Sequence, residues 1–209
     1  MLTELHASLG AIQQHRSPDL LQEGLGQREH VLATFPGPVV VDADAITVLA
    51  RDRAVPRARS DGAPRILTPH AGELARWLGI TSRDVEADRY ARVREAAARA
   101  DAIVVLKGAH SLIADPAGRV VVNAEGSAAL ATAGSGDVLA GIVGALACAL
   151  EPFDAACAGA FLHAAGGERW AARHGDRGLL ATEIADELPA ILGELIGTSL
   201  PQGHTGCPV

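Results

Sequence analysis

Short apolar runs that alternate with helical segments constrain the fold of this chain more than any other feature of its sequence. Three of them cover Pro38 to Asp42, Arg65 to His70 and Ala102 to Gly108, and each is built around Val, Ile or Leu. Such short, uniformly apolar cores are typical of parallel strands in a sheet that is buried on both faces. The alternation predicts an α/β fold with a largely parallel sheet flanked by helices.

Boundary signals place the remaining elements. Asp44 is a plausible N-cap for a helix after the first run, and the helix after the second run stops at Gly79. Thr81 and Asp84 have the spacing of a capping box at the start of a charged helical segment. The stretch from Ser111 to Ala124 predicts a β-hairpin around an Asp-Pro-Ala-Gly turn. Beyond the hairpin the sequence predicts helices only, at about 136–150, 153–173 and 182–196.

The composition favours a globular domain in a reducing compartment. Hydrophobic residues make up 48% of the 209 residues, which is enough for a core, although aromatic residues make up only 3%. The formal net charge of −7 and the lack of a long basic run argue against a nucleic-acid partner. The three cysteines have no metal-binding or redox spacing and indicate reduced thiols. We expect one domain over residues 1–196 and a flexible tail over 197–209.

Two features argue against a membrane location. The N-terminus lacks the basic segment and the following apolar segment of a signal peptide. The apolar run after Asp137 is too short to span a bilayer and fits a buried helix instead. We therefore expect a cytoplasmic protein without a membrane partner.

Polar or glycine-containing loops follow each of the three apolar runs. They begin at Asp42, at Thr68 and at Lys107. Ligands of parallel sheets bind beyond the carboxyl ends of the strands, where such loops lie. If the three strands are neighbours, their loops line one crevice.

The stretch TAGSGDVLAG, residues 132–141, joins a glycine-rich turn to the start of an apolar helix. Gly134 and Gly136 let the backbone approach a ligand closely, and the first amides of the helix have no internal partner. Together they predict an anion-binding helix N-terminus. Asp137 lies there either as an ordinary N-cap or as a base for a hydroxyl proton in phosphoryl transfer. Because the run behind Asp137 is apolar on every side, we expect a buried helix whose N-terminus faces an interior crevice.

Three further residues are candidates for the same chemistry. His70 follows a proline at a strand end, Glu73 lies at the start of a helix, and Lys107 ends an apolar strand. A lysine in that position often points at an anionic ligand, but it can also extend along the rim of the sheet. His70 can equally be a surface loop residue, and Glu73 a charge that favours a helix N-terminus.

Four segments occur in a characteristic order along the chain: VVVDADAI, LTPHAGEL, VVLKGAHSLIADPAGRV and LATAGSGDVLAGIVGAL. In this combination they resemble the ADP-dependent NAD(P)H-hydrate dehydratases, a family with a ribokinase-like fold. The closing segments FLHAAGGERWA and GDRGLLATEIADELP also resemble the C-terminal helices of that family. The similarity extends over about residues 21–192, and the combination is more specific than any single segment.

The resemblance implies a reaction and a set of site residues. ADP, or ATP, would phosphorylate the ring hydroxyl of hydrated NADH or NADPH, and elimination of phosphate would then restore the cofactor and leave AMP. Asp137 would be the base and would contact the substrate together with His70 and Gly26. The nucleotide would be bound by Lys107, Gly108, Ala109, His110, Ser111 and Gly136. Mg²⁺ is expected with the nucleotide phosphates, with Glu73 supporting it, and the family usually forms homo-oligomers.

The chain departs from the family pattern at two places. His110 and Ser111 stand where the family more often has Gly and Thr. The glycine-rich strand-and-helix block that normally precedes the turn at Gly24 to Gln27 is missing, so we expect a domain that is incomplete at its N-terminus. Two alternatives stay open. One is a ribokinase-like kinase of the thiazole or hydroxymethylpyrimidine type, and the other is an inactive nucleotide-binding fragment.

Overall fold

The computed structural model describes residues 35–51 and 65–199 of the chain. Within these ranges, five strands form one sheet. They are β1 (Val39–Val41), β2 (Arg65–Leu67), β3 (Ile103–Leu106), β4 (Ser111–Ala114) and β5 (Val120–Asn123). The helices are α1 (Asp44–Arg51), α2 (Ala71–Leu78), α3 (Ser82–Ala87), α4 (Arg89–Ala100), α5 (Ser135–Leu146), α6 (Pro152–His174) and α7 (Ala181–Ser199). A short 3₁₀ helix, Ala128–Leu130, precedes α5.

The sheet has the strand order β1-β2-β3-β4-β5. The first three strands pair in parallel, whereas β4 and β5 form a hairpin that lies antiparallel to β3. The connection between β3 and β4 is too short for a crossover, and such a link can join only antiparallel strands. The predicted α/β class and the predicted hairpin are confirmed, and the parallel part of the sheet is confined to β1, β2 and β3.

Both faces of the sheet are covered, as the apolar strands predict. Val104 and Leu106 of β3 pack into a core with α1, α2, α3 and α4. Ile103 and Val105, which alternate with them, pack into a second core with α5 and α6. All four side chains of β3 are buried, so this strand lies at the centre of the fold. The carboxyl end of β3 is therefore held firmly in place, and the loop after β3 begins there.

In the first half of the described chain, most predicted boundaries agree with the structure, and two differ. Thr81 and Asp84 form the expected capping box of α3, and α2 ends at Gly79 with a φ of 75°. The charged segment after Thr81 is two helices, because Asp88 leaves the helical conformation and its side chain caps α4. Asp44 is the first residue of α1 and not its N-cap, and the residue before it, Ala43, has a positive φ of 50°.

The C-terminal helices also depart slightly from the expected bounds. Helix α5 ends at Leu146, earlier than the predicted residue 150, and the chain turns before α6. Helix α7 continues to Ser199, past the predicted end at 196, and residues 200–209 of the expected tail lie outside the described residues. None of the helices in the described ranges is long and apolar enough to cross a bilayer.

Helices α5 and α6 are in close contact at Gly159. A Cβ atom at this position would lie 2.5 Å from Cγ2 of Val143 and 3.2 Å from its Cα. Val143 is completely buried against the sheet and has no room to move away. The absence of a side chain at Gly159 therefore sets the distance between the two helices and, with it, the position of α5.

Gly159→Ala is expected to destabilise the fold, although alanine is the better helix former. The added methyl group forces α6 away from α5, and overpacking of this kind costs about 1–3 kcal/mol. Urea denaturation should show a decrease of that size in the free energy of unfolding. Gly193→Ala is the matched control, since an added Cβ in α7 meets no described atom within 4 Å. Equal effects of the two substitutions would contradict this account of the helix packing.

Candidate active site

The carboxyl ends of β1, β2 and β3 meet around the side chain of Lys107. Its Nζ donates a hydrogen bond to Oδ1 of Asp42 at 2.7 Å and lies 3.9 Å from Oε2 of Glu73. Asp42 directly follows β1, Glu73 lies in the first turn of α2 after β2, and Lys107 directly follows β3. The loops after the three strands are therefore neighbours, as the sequence predicts.

Backbone pairing beyond the strands fixes this arrangement. The amide of Lys107 donates to the carbonyl of Pro69 at 2.8 Å, and His70 forms an isolated parallel bridge with Lys107. The pairing of β2 with β3 is thereby continued past the last regular strand residues. The backbone of the sheet, and not a free loop, places His70 next to Lys107.

Lys107 is the only lysine among the 18 basic residues of the chain. Its side chain is 20% exposed and turns inward to the carboxylates of Asp42 and Glu73, which are 12% and 8% exposed. An ammonium is a compact point charge that fits between two carboxylates more easily than a planar guanidinium. The structure thus excludes a lysine that merely extends along the rim, and the contact of Lys107 with a nucleotide stays a prediction.

The N-terminus of α5 lies directly against this ion pair. A Cβ atom on Gly136 would be 3.3 Å from Nζ of Lys107 and 3.5 Å from Oδ2 of Asp42. A side chain at position 136 would therefore press on the ammonium and the carboxylate. Two of the predicted nucleotide-binding residues, Lys107 and Gly136, are brought together although they belong to different elements.

Asp137 is not the N-cap of α5. The N-cap is Gly134, which has a φ of 83° and provides no side-chain cap, and Asp137 is the third residue of the helix. The ordinary capping explanation of this aspartate is therefore wrong. In the part of the chain that the structure describes, no side chain caps this helix end. The amide of Ser135 donates to the carbonyl of Thr132 at 3.3 Å, and the next amides, of Gly136 and Asp137, are left for a ligand or solvent.

Helix α5 is not buried on every side, contrary to the expectation from its apolar sequence. Leu139, Ile142 and Val143 face the interior, but Asp137 and Gly141 are exposed to solvent. Only α6, α7 and β1 are in extensive contact with the helix within the described residues. The side chain of Asp137 therefore lies at an open surface, one residue after the glycine that touches the ion pair, and not inside a closed crevice.

His70 and Glu73 form a capping box at the start of α2. Nδ1 of His70 accepts hydrogen bonds from the amides of Gly72 and Glu73 at 3.0 and 3.3 Å, and Oε2 of Glu73 accepts one from the amide of His70 at 2.8 Å. An acceptor Nδ1 leaves the proton of a neutral imidazole on Nε2, which lies 3.4 Å from Oε1 of Glu73. His70 is thus more than a surface loop residue, and Glu73 holds it in place.

The remaining predicted nucleotide residues form the short connection from β3 to β4. Gly108, Ala109 and His110 are exposed, and Ser111 is the first residue of β4. They follow Lys107 directly and so lie beside the ion pair. The predicted substrate residue Gly26 lies outside the described residues.

Sequence reasoning missed two residues that hold this region together, Arg89 and His163. Nε2 of His163, on α6, lies 2.9 Å from the carbonyl oxygen and 3.0 Å from Oγ of Ser135, the first residue of α5. A carbonyl can only accept, so Nε2 carries the proton and donates. The only signal in the sequence is a lone histidine in an apolar helix. Arg89, described below, lies in a charged helical segment and gives no signal at all.

Burial lowers the pKa of His163, and the positive charge of Lys107 acts in the same direction. The hydrogen bond to the Ser135 carbonyl opposes the effect without cancelling it. The lowered pKa favours the neutral imidazole at pH 7, and its Nε2–H donates to the Ser135 carbonyl.

The described residues contain no group of three His, Cys, Asp or Glu side chains that could hold a metal ion. Two of the carboxylates in this region, Asp42 and Glu73, already compensate Lys107. Mg²⁺ often keeps several waters and binds through phosphates with one or two carboxylates, so this arrangement suits an ion that arrives with a nucleotide. It does not suit a resident metal in a cage of side chains.

His163→Gln is expected to flatten the pH dependence of stability in mild acid. Because the pKa of His163 is lowered on folding, the unfolded chain takes up a proton first, and stability is lost as the pH falls below the ordinary value of 6.5. Glutamine can donate to the Ser135 carbonyl and does not titrate. Melting temperatures measured across mild acid should fall less for this variant than for the wild type. The exposed His110→Gln should keep the wild-type slope, and parallel slopes for all three proteins would contradict the assignment.

The comparisons with known sequences agree on one family. The sequence model of the NAD(P)H-hydrate dehydratase family matches residues 20–190. The ADP-dependent (S)-NAD(P)H-hydrate dehydratase of Neisseria meningitidis serogroup B is 46% identical over 172 residues, and the match covers 78% of this chain and 58% of that protein. The bifunctional NAD(P)H-hydrate repair enzyme Nnr of Moorella thermoacetica is 45% identical over 159 residues, covering 76% of this chain and 30% of that enzyme.

Solved structures give the same result for the fold. An ADP/ATP-dependent NAD(P)H-hydrate dehydratase from Bacillus subtilis, co-crystallized with ATP/Mg²⁺ and soaked with CoA, has a TM-score of 0.71 and 35% identity over 79% of this chain and 59% of its own. A ribokinase-like superfamily protein of Enterococcus faecalis V583 has a TM-score of 0.68 and 26% identity over 81% of this chain and 58% of its own. The chain spans less than two thirds of the length of each of these four proteins. On this sequence and structural similarity, the chain belongs to the NAD(P)H-hydrate dehydratase family and has a ribokinase-like fold.

Proposed function

We propose that this protein catalyses the ADP-dependent dehydration of (S)-hydrated NADH and NADPH, with release of AMP and phosphate. The observation that carries the proposal is the N-terminus of α5, where Gly136 lies against the Lys107 ion pair and the next residue, Asp137, presents an exposed carboxylate. A base next to free amide donors is what phosphoryl transfer to a hydroxyl requires. Membership of the family and the names of the two relatives support the same reaction.

The first half of the reaction is phosphoryl transfer. The hydroxyl oxygen of the hydrated ring attacks the β-phosphorus of ADP, the bond to the bridging oxygen breaks, and AMP leaves. Asp137 takes the hydroxyl proton as the new bond forms. The free amides at the start of α5 favour the negative charge on the transferred group. In this assignment Asp137 acts as base and also contacts the substrate.

The second half is elimination. The phosphate ester is a better leaving group than hydroxide, so the carbon–oxygen bond breaks and inorganic phosphate departs. Loss of a proton from the neighbouring ring carbon restores the double bond and regenerates NADH or NADPH. His70, whose Nε2 carries a proton, offers a donor to the hydrated nicotinamide nucleotide, and Gly26 is assigned to the same ligand.

The nucleotide occupies the other side of the α5 terminus in this proposal. Lys107 and the following residues 108–111 bind its phosphates together with Gly136, and Lys107 shares its charge between them and Asp42. ATP serves as an alternative to ADP, as in the ADP/ATP-dependent dehydratase of Bacillus subtilis. Mg²⁺ neutralises the phosphates and is held by them, by water and by few carboxylates, with Glu73 supporting the metal through the residues around it.

The remaining proposals concern the whole protein. We assign the chain up to the end of α7 at Ser199 to one domain. Small exposed residues of α5, Gly141 and Ala145, leave a face on which a second copy can pack, which supports a homo-oligomer. The free thiols of Cys148 and Cys157 support a cytoplasmic location, without nucleic-acid or membrane partners.

The direct test is an assay of the purified chain with hydrated NADH and either ADP or ATP. The expected products are NADH, phosphate and, from ADP, AMP, in equal amounts. A stable phosphorylated product without release of phosphate would instead identify a small-molecule kinase. Binding of ADP without any turnover would identify an inactive nucleotide-binding fragment.

Asp137→Asn is expected to reduce turnover by about 10²–10⁴-fold, because the amide keeps the shape of the side chain but cannot accept the proton. Since Asp137 caps nothing and is exposed, the melting temperature should stay within error of the wild type. Asp186→Asn is the control, an exposed aspartate on α7 that is remote in sequence from the site motifs. Near-normal dehydration by Asp137→Asn would show that another group is the base.

Chemical labelling of Lys107 tests its assignment to the nucleotide. An amine-directed reagent can modify only Lys107 and the N-terminal amine, because the chain has no other lysine. At an ADP concentration about ten times its Kd, labelling of Lys107 should slow about tenfold, as measured by mass spectrometry of the peptide. Adenosine, which lacks phosphates, should not protect Lys107, and the N-terminal amine should react equally in all samples. Unchanged labelling in the presence of bound ADP would mean that Lys107 serves only Asp42 and Glu73.

A further inference from the structure

Arg89, the first residue of α4, reaches across to the loop that joins β3 to β4. Its Nη2 is 3.2 Å from the carbonyl oxygen of Leu106, 3.4 Å from that of Lys107 and 3.1 Å from that of His110. Its Nη1 pairs with Glu86 at 2.9 Å. One side chain therefore ties the first and the last part of the same loop to helix α4.

The low exposure of the Arg89 guanidinium indicates a defined contact and not a chance interaction at the surface. The side chain of Arg89 is 18% exposed, whereas that of its acidic partner Glu86 is 53% exposed. A guanidinium presents several donors in a fixed plane, so it can bind converging carbonyl oxygens and an acidic partner at the same time. Hydrogen bonds from a charged donor are also stronger than those between neutral groups.

The direction of these carbonyls determines the direction of the amides in the same loop. In a planar trans peptide unit the C=O and the following N–H point to opposite sides. The carbonyl of Lys107 faces Arg89, so the amide of Gly108 points away from α4. Arg89 thus leaves the Gly108 donor free to face a ligand on the other side of the loop.

The contact between Arg89 and the loop requires glycine at position 108. A Cβ atom at position 108 would lie 2.5 Å from Nη2 and 2.8 Å from Nη1 of Arg89. The guanidinium can lie flat against the loop backbone only because this residue has no side chain. Residues 89 and 108 are therefore coupled through space, although neither is close to the other in the sequence.

We infer that Arg89 is a positioning residue that holds the loop of residues 107–110 in the conformation that binds the nucleotide phosphates. The inference rests on the proposed function, since it takes the loop to be the nucleotide site. It adds a residue outside the family segments to that site. Arg89 acts through the backbone carbonyls and does not itself touch the nucleotide.

Arg89→Ala is the first test, with three measurements on the full chain. The calorimetric Kd for ADP should rise about tenfold or more, because several hydrogen bonds from a charged donor are lost. The KM for hydrated NADH should stay unchanged. Hydrogen exchange of the amides of residues 107–111 should become faster in the protein without nucleotide. Arg94→Ala, an exposed arginine of the same helix, is the matched control and should change none of the three.

Two further variants separate positioning from general loss of structure. Arg89→Lys keeps the charge beside Glu86 and one donor group, so it should restore part of the ADP affinity. Gly108→Ala should displace the guanidinium and weaken ADP binding, and the double variant Arg89→Ala/Gly108→Ala should be no weaker than the weaker single variant. Additive losses in this cycle would show that the two residues act independently and would overturn the inference.

The outcomes distinguish this inference from the proposed function. If the wild type binds ADP but turns over no hydrated NADH, and Arg89→Ala weakens that binding, the proposed reaction fails and the role of Arg89 stands. If the reaction proceeds, but Arg89→Ala changes neither the Kd for ADP nor the exchange of the loop, the inference alone fails. An equal rise of the ADP Kd and the KM for hydrated NADH, with a lower melting temperature, would also overturn it.

Discussion

The ion pair between Lys107 and Asp42, with Glu73 beside it, is the interaction on which the rest of the site depends. Two largely buried carboxylates converge at one end of the sheet, and burying them together is unfavourable unless a cation lies between them. The only lysine of the chain meets that requirement. Because each partner follows a different strand, the same contact fixes the ends of β1, β2 and β3 relative to one another. An anionic ligand at this place would meet a positive charge that is already positioned.

The helices on both faces of the sheet hold the segments that surround the Lys107 ion pair. On one face of the sheet, α4 holds the loop after β3 through Arg89, and α2 holds His70 through Glu73. On the other face, α6 holds the first turn of α5 through His163. In each layer a basic side chain binds backbone carbonyls beside the ion pair. The positions of the backbone donors that remain free are therefore set by packing on both faces of the sheet.

Two glycines determine how closely α5 can approach the ion pair and how closely α6 can approach α5. Without a side chain at Gly136, the terminus of α5 reaches the ion pair, and without one at Gly159, α6 packs against α5 closely enough to hold it. The glycine-rich turn before α5 thus has a local effect and an effect on the tertiary structure. Locally it starts a helix without a side-chain cap, and in the tertiary structure it lets that helix end lie against charged groups from distant strands.

The sequence by itself determined the local features, because they depend on periodicity and on neighbouring residues. Uniform apolar cores predicted strands buried on both faces, Thr81 and Asp84 predicted a capping box, and polar residues after the strands marked the end of the sheet where the candidate site lies. Only the tertiary structure decided the partners of these residues. Lys107 and Asp42 are 65 residues apart, and His163 and Ser135 are 28 apart, so no local pattern could pair them. The exposure of Asp137 was also undetermined, since an apolar helix reveals its solvent-facing side only when the neighbouring elements have packed against the rest.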